Sequence, residues 1–126
     1  MYKYHPEHTW LKMDGEQGVI GLSYYAQAHL GDIVYVDLPE PGSRVRAGQA
    51  MCGIESTKTT SEIIAPITGT VIESNQELAD QPSLINDSPL ELGWIIRVNL
   101  DGSEQTETLM DLKAYESYLG SLPPKE

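Results

Sequence analysis

The chain has five lysines, Lys3, Lys12, Lys58, Lys113 and Lys125, and one stands apart in its surroundings. Lys58 lies in Gly53-Ile54-Glu55-Ser56-Thr57-Lys58-Thr59-Thr60-Ser61-Glu62, which reads as two strands joined by a tight turn with β-branched strand formers on both sides. Ala65-Pro66-Ile67-Thr68-Gly69-Thr70-Val71 follows. A lysine at a hairpin tip is an accessible handle on a stiff backbone. Without this flanking pattern, Lys58 would read as an ordinary solvated turn residue.

Other reactive residue types form weaker patterns. His5 and His8 flank Glu7, but no third ligand stands at a recognised metal spacing, so they read as a loop pair with no ligand role. The single Cys52 excludes an intramolecular disulfide framework, and its place in Ala50-Met51-Cys52-Gly53-Ile54 favours a buried small hydrophobe. No Gly-rich phosphate loop, nucleophile elbow or Cys-x-x-Cys is present. His29 falls near the end of a short helical stretch, where the negative dipole end favours it.

The elements that must position Lys58 are mostly short strands. Residues 18–22 form a candidate strand; Ser23 then caps a helix over Tyr24–Leu30, which Gly31 ends in a left-handed conformation. Ile33-Val34-Tyr35-Val36-Asp37-Leu38 predicts a strand covered on both sides, with Val34, Val36 and Leu38 on one face and Ile33 and Tyr35 on the other. Further strands are predicted over 49–55, 61–65, 69–74 and 94–100, and this spacing predicts a small sandwich or barrel. Residues 38–45 loosely echo residues 64–71, as if two similar halves flanked Lys58. A C-terminal helix is predicted over 103–119, with Ser103 as cap, Leu109, Leu112, Tyr115 and Leu119 on one face, and Gly120 and Pro123-Pro124 closing it before a frayed Lys125-Glu126 tail.

With 126 residues and 40% apolar content, residues 1–126 read as one domain with one core. No apolar run approaches membrane-spanning length and the start lacks a signal-peptide core, so a cytoplasmic protein is expected; a monomer is expected as well. A net charge of -11 argues against nucleic acid and favours partners with basic surfaces.

The motif Glu55-Ser56-x-Lys58 followed by Ala65-Pro66-x-x-Gly69 resembles the lipoyl-lysine site of the H proteins of the glycine cleavage system. Residues 4–10, Gly21-Leu22-Ser23-Tyr24-Tyr25-Ala26-Gln27, residues 30–42 and Gly93-Trp94 also fall where that family has similar residues. The resemblance implies a mainly β, lipoyl-domain-like barrel-sandwich hybrid with the short helix near Tyr24–Leu30 and a C-terminal helix. It implies lipoic acid in amide linkage to Lys58, attached by a lipoate ligase or a lipoyl/octanoyl transferase that Glu55, Ser56 and Glu62 mark the tip for. It implies a non-catalytic carrier taking the aminomethyl group between glycine decarboxylase, aminomethyltransferase and dihydrolipoyl dehydrogenase, with Glu7, Thr9 and His29 near the docked arm.

Two departures stand out. The family usually reads Glu-His-Glu-Trp where this chain has Glu7-His8-Thr9-Trp10, and Pro-Tyr-Gly where it has Ser88-Pro89-Leu90-Glu91-Leu92 before Gly93-Trp94. A hydroxyl at Thr9 replaces a carboxylate that would favour an ammonium. That points toward the alternative of an H-like lipoate-binding protein serving a heterodisulfide-reductase-like complex in sulfur oxidation. An unmodified lipoyl-like interaction module and a biotin carrier are further alternatives; biotinyl tips typically read Met-Lys-Met, unlike Thr57-Lys58-Thr59.

Overall fold

The computed structural model describes residues 2–122; the predicted Pro123-Pro124 stop, the Lys125-Glu126 tail and the side chain of Ser103 lie outside the described part. Among the described residues, strands β1 (Tyr2–Tyr4), β2 (Thr9–Asp14), β3 (Gln17–Leu22), β5 (Arg44–Val45), β8 (Gly69–Ser74) and β9 (Ile96–Leu100) form one sheet in the order β1-β2-β3-β9-β8-β5. Strands β4 (Ile33–Val36), β6 (Ala50–Ser56) and β7 (Thr60–Ile64) form a second, with β6 central. Every pairing is antiparallel. No described helix is long and apolar enough to cross a membrane.

The main core gathers buried side chains from both sheets, among them Leu11, Ile20, Val36, Ile54, Ile63 and Val98. Leu11, Ile20 and Val98 come from the first sheet and Val36, Ile54 and Ile63 from the second, so the core lies between the two. A smaller aromatic cluster of Tyr4, Trp10 and Tyr115 fastens the C-terminal helix to the first hairpin. Tyr4 and Tyr115 stack with centroids 4.5 Å apart. Trp10 crosses the β2–β3 ladder onto Gly21, where a Cβ would come within 2.5 Å of the indole, and its Nε1 donates to the Pro89 carbonyl at 3.0 Å.

The echo between residues 38–45 and 64–71 has a structural counterpart. Arg44 pairs with Thr70, its own equivalent in the echo, as two halves related by a local two-fold axis would do. Val45 and Val71, equivalent in the same alignment, are both buried.

Several sequence expectations need correction. β4 does not alternate between two covered faces: its register shifts between Ile33 and Tyr35, so Ile33 and Val36 are buried while Val34 and Tyr35 are each about half exposed. The helix expected over 103–119 is broken. A 3-10 helix covers Ser103–Thr108, Leu109 is extended, and Met110 bridges Tyr4 before helix α4 (Leu112–Gly120) begins. That backbone pairing with β1 interrupts the helical ladder, so Asp111 caps α4 by accepting from the Ala114 amide at 2.8 Å. Leu112 faces solvent instead of the sheet, and Gly120 is the last helical residue, followed by Ser121. Strands β1, β2 and β5 and two short helices, α2 (Glu77–Asp80) and α3 (Leu84–Asp87), had no sequence expectation. The helix over Tyr24–Leu30, α1 in the fold, starts as expected: Ser23 Oγ accepts from the Ala26 amide at 3.2 Å.

Candidate functional site

Lys58 stands at the tip between β6 and β7, one of the two outermost positions of the hairpin with Thr57. The usual two-residue hairpin turns require positive φ in the loop, yet His8 is the only described non-glycine residue with positive φ. The tip is therefore closed by other means. The Ser56 amide donates to the Thr59 carbonyl at 2.8 Å, and Ser56 Oγ accepts from the amides of Lys58 and Thr59 at 3.3 and 3.1 Å. The Thr57 amide donates to the Asp32 carbonyl at 2.9 Å. The short serine side chain thus satisfies backbone donors that the strand ladder leaves open. The ion pairs of the described residues, Arg44–Asp101, Arg97–Asp14 and Arg97–Glu73, all lie away from the tip. Lys58 itself is exposed.

A groove of about 470 Å³ opens beside this hairpin, between α1 and β7. Its floor is apolar, built from Leu22, Ala26, Leu30, Ile54 and Ile63, and Glu7, His29 and Glu62 stand among its exposed lining residues. Three residues singled out in the sequence, far apart in the chain, therefore meet on one rim. Glu55 is exposed on β6, opposite Thr60. Thr9 is fully buried in β2, does not line the groove, and its Oγ1 has no hydrogen-bond partner among the described residues.

The groove's outer wall is braced by a chain of polar groups that the sequence did not reveal. The Tyr115 hydroxyl lies 2.8 Å from His8 Nδ1 and 2.8 Å from Ser23 Oγ, which also caps α1. One phenol on α4 thereby ties together the loop before β2 and the start of α1. Burial pushes the Tyr115 hydroxyl up to about 12 despite its bond to Ser23, so the group stays a neutral hydrogen-bonding hydroxyl. His8 packs on Tyr25 with centroids 4.6 Å apart, and Tyr25 on His29 at 4.1 Å. His29 Nδ1 also lies 2.9 Å from the Tyr25 carbonyl. Nothing local in the sequence joins His8 to Tyr115, which are separated by 107 residues; only the packed fold does.

The remaining groups singled out in the sequence are held by local contacts or by burial. His5 Nδ1 accepts from the Glu7 amide at 3.0 Å, and burial lowers its pKa. Cys52 is half-buried against the core, and desolvation pushes its thiol up to about 12, far from a nucleophilic thiolate. Among the described residues no three potential ligands cluster to hold a metal ion.

The whole chain is similar to known proteins. The family model described as "Glycine cleavage H-protein" matches residues 2–121. A glycine cleavage system H protein of Staphylococcus saprophyticus is 44% identical over 118 residues, 94% of each chain. The mitochondrial glycine cleavage system H protein 2 of Arabidopsis thaliana is 45% identical over 116 residues, 92% of this chain and 74% of that protein. The crystal structure of a glycine cleavage system H protein from Mycobacterium marinum superposes with a TM-score of 0.84 at 31% identity, over 94% of this chain and 96% of that one. With a family match over residues 2–121, this protein belongs to the glycine cleavage H-protein family.

Proposed function

We propose that this chain is a single-domain lipoyl carrier of the glycine cleavage system, with lipoic acid in amide linkage to Lys58. The observation that carries the reading is the exposed amine on a tip braced by Ser56 Oγ and the Asp32 carbonyl, next to an apolar groove of about 470 Å³. The residues fit the group. The groove lies in the size range of small-molecule sites, its floor of leucine, isoleucine and alanine suits an aliphatic chain ending in a dithiolane, and the tip leaves the amine free for a modifying enzyme. When attached, the lipoyl group supplies the thiol–disulfide chemistry and the carrying sulfur, so the protein needs no catalytic residue of its own.

The work of the chain's residues is presentation and shelter. Ser56 and Asp32 stiffen the tip so that the amine is presented in a narrow range of directions. Leu30, Ile54 and Ile63 exclude water from the groove floor, and Glu7 and Glu62 put negative charge where a cationic cargo would rest. Glycine decarboxylase, aminomethyltransferase and dihydrolipoyl dehydrogenase are the partners served in turn; the net charge of -11 favours fast encounters with basic clefts on them. Exposed Glu55 and Glu62 flank the tip and serve recognition by the lipoate ligase or lipoyl/octanoyl transferase.

The sulfur-oxidation reading drew on Thr9 in place of a carboxylate. Thr9 is buried in β2 and does not line the groove, while two carboxylates stand on the rim, which supports the glycine-cleavage reading. The test is reconstitution. The unmodified chain is treated with lipoate ligase, ATP and lipoate, mapped by mass, then incubated with glycine decarboxylase and glycine. Modification at Lys58 and carbon dioxide release that depends on it are expected. A fully lipoylated chain that does not support release would overturn glycine cleavage as the pathway, and modification elsewhere would overturn the site.

A further inference from the structure

The side chain of Lys58 does not extend straight into solvent. A Cβ built on Gly31 would lie 3.1 Å from Lys58 Cε, 3.7 Å from Cδ and 3.8 Å from Cγ. Three successive carbons of the lysine stem therefore lie across the bare α-carbon of Gly31. Gly31 has φ +87° and ψ −160°; the positive φ was expected, but the ψ is extended and not left-handed helical. α1 ends here, and the chain turns directly into β4.

One side chain clamps both sides of this joint. Asn86 Nδ2 donates to the Gly31 carbonyl at 2.8 Å and to Gln27 Oε1 at 3.0 Å, and its Oδ1 accepts from the Ile33 amide at 2.8 Å. Between the clamped residues lies Asp32, whose carbonyl takes the Thr57 amide. Asn86 thus fixes the joint, and the joint holds both the turn that bears Lys58 and the surface on which its stem lies.

We propose that Gly31 and Asn86 are positioning residues for the acylated lysine. Gly31 is the seat of the stem, and Asn86 holds the seat, so that the arm leaves the tip along the end of α1 toward Leu30 and His29 in the groove. This rests on lipoylation of Lys58. Lysine stems lie readily along an apolar or bare surface while their heads stay free, and a restricted departure raises the local concentration of a tethered group at its docking site. A glycine needed only to end α1 would demand conformational freedom but no open space above it. Here the space is filled by the residue to be modified.

The test uses the full chain in two states, in a Cys52→Ala background so that only the lipoyl thiols report. In the unmodified protein, NMR should show proximity between the δ and ε methylenes of Lys58 and the α-protons of Gly31, lost on Asn86→Ala. In the fully lipoylated, reduced protein, an aromatic disulfide reagent should capture the thiols of Gly31→Ala and Asn86→Ala at least about threefold faster than those of the parent, because the tethered group spends less time at its site. Val71→Ala, a core truncation remote from the tip, should react at the parent rate, separating loss of the seat from general loosening. If Gly31→Ala fails to fold, Asn86→Ala carries the comparison. Parent-like capture in fully lipoylated variants, or no contact between Lys58 and Gly31, would overturn this proposal alone. Absence of a lipoyl group on Lys58 by mass would overturn the carrier reading, and this proposal with it.

Discussion

The Thr57 amide donates to the Asp32 carbonyl at 2.9 Å, so the lysine-bearing turn is fastened to the chain leaving α1 by its backbone and not by its lysine. Lys58→Ala should therefore change stability by no more than about 0.5 kcal/mol, the range of ordinary surface substitutions. Val36→Ala, in the core, should cost about 1 to 3 kcal/mol. Urea melts of both variants check this, and mass mapping of Lys58→Arg should show no lipoylation by a competent ligase. A large loss of stability from Lys58→Ala would make the lysine structural.

Thr9 Oγ1 is buried without a partner among the described residues. An unpaired buried hydroxyl is costly, and valine has nearly the same shape without it, so Thr9→Val should raise stability by about 1 kcal/mol. Carrier activity should stay at the parent level, because Thr9 does not line the groove. Thermal or denaturant unfolding decides the first point and reconstituted glycine decarboxylation the second.

Glu7 and Glu62 are the carboxylates on the groove rim. If they hold a cationic cargo, Glu7→Gln with Glu62→Gln should speed ammonia release from the glycine-loaded, lipoylated chain about tenfold, the effect of losing roughly 1.4 kcal/mol of charge-assisted bonding. A release rate equal to the parent's would assign the sheltering to other groups.

The legible part of this molecule was local. The hairpin around Lys58, the Ser23 cap and the strand over Gly69–Ser74 are set by neighbours in sequence, through β-branched residues, a capping hydroxyl and glycine at the right offsets. What escaped depends on distant pairing. The helix expected over 103–119 breaks because Met110 is taken by Tyr4, a partner no periodicity announces. The covered strand over 33–38 fails because a register shift turns Val34 and Tyr35 outward. The rim of the groove was partly legible: Glu7, His29 and Glu62 could be named, but that Thr9 is buried off the groove and that Asn86 clamps the joint at Gly31 required the fold.

Ser23 Oγ both caps α1 and meets Tyr115 at 2.8 Å. Ser23→Ala should cost about 1 to 2 kcal/mol, and Tyr115→Phe about 1 kcal/mol. Because the two changes remove a shared bond, the double variant should lose less than the sum of the singles. Simple additivity in denaturant melts would show the two hydroxyls to be energetically independent.

Alkali should destabilise the fold, most of all through two groups, with buried Tyr4, also raised, adding to them. Cys52 is raised from 9.0 to about 12 and Tyr115 from 10.0 to about 12, in both cases mainly by burial. A raised folded-state pKa means that the native chain keeps protons the unfolded chain releases. Their contribution is fully present below about pH 9 and is lost as pH rises toward about 12. Unfolding midpoints should fall across that window, and Tyr115→Phe should flatten the fall above pH 10. A flat profile in the parent would show that neither group is shielded in solution.

The register shift in β4 also bears on how this protein coexists with itself. β4 is an edge of the three-stranded sheet, and a regular edge offers a row of free amides and carbonyls that invites strands of other molecules to add. The irregularity between Ile33 and Tyr35 interrupts that row. A carrier must be released from each partner it visits, so a blunted edge helps keep it free of lasting self-association by strand addition.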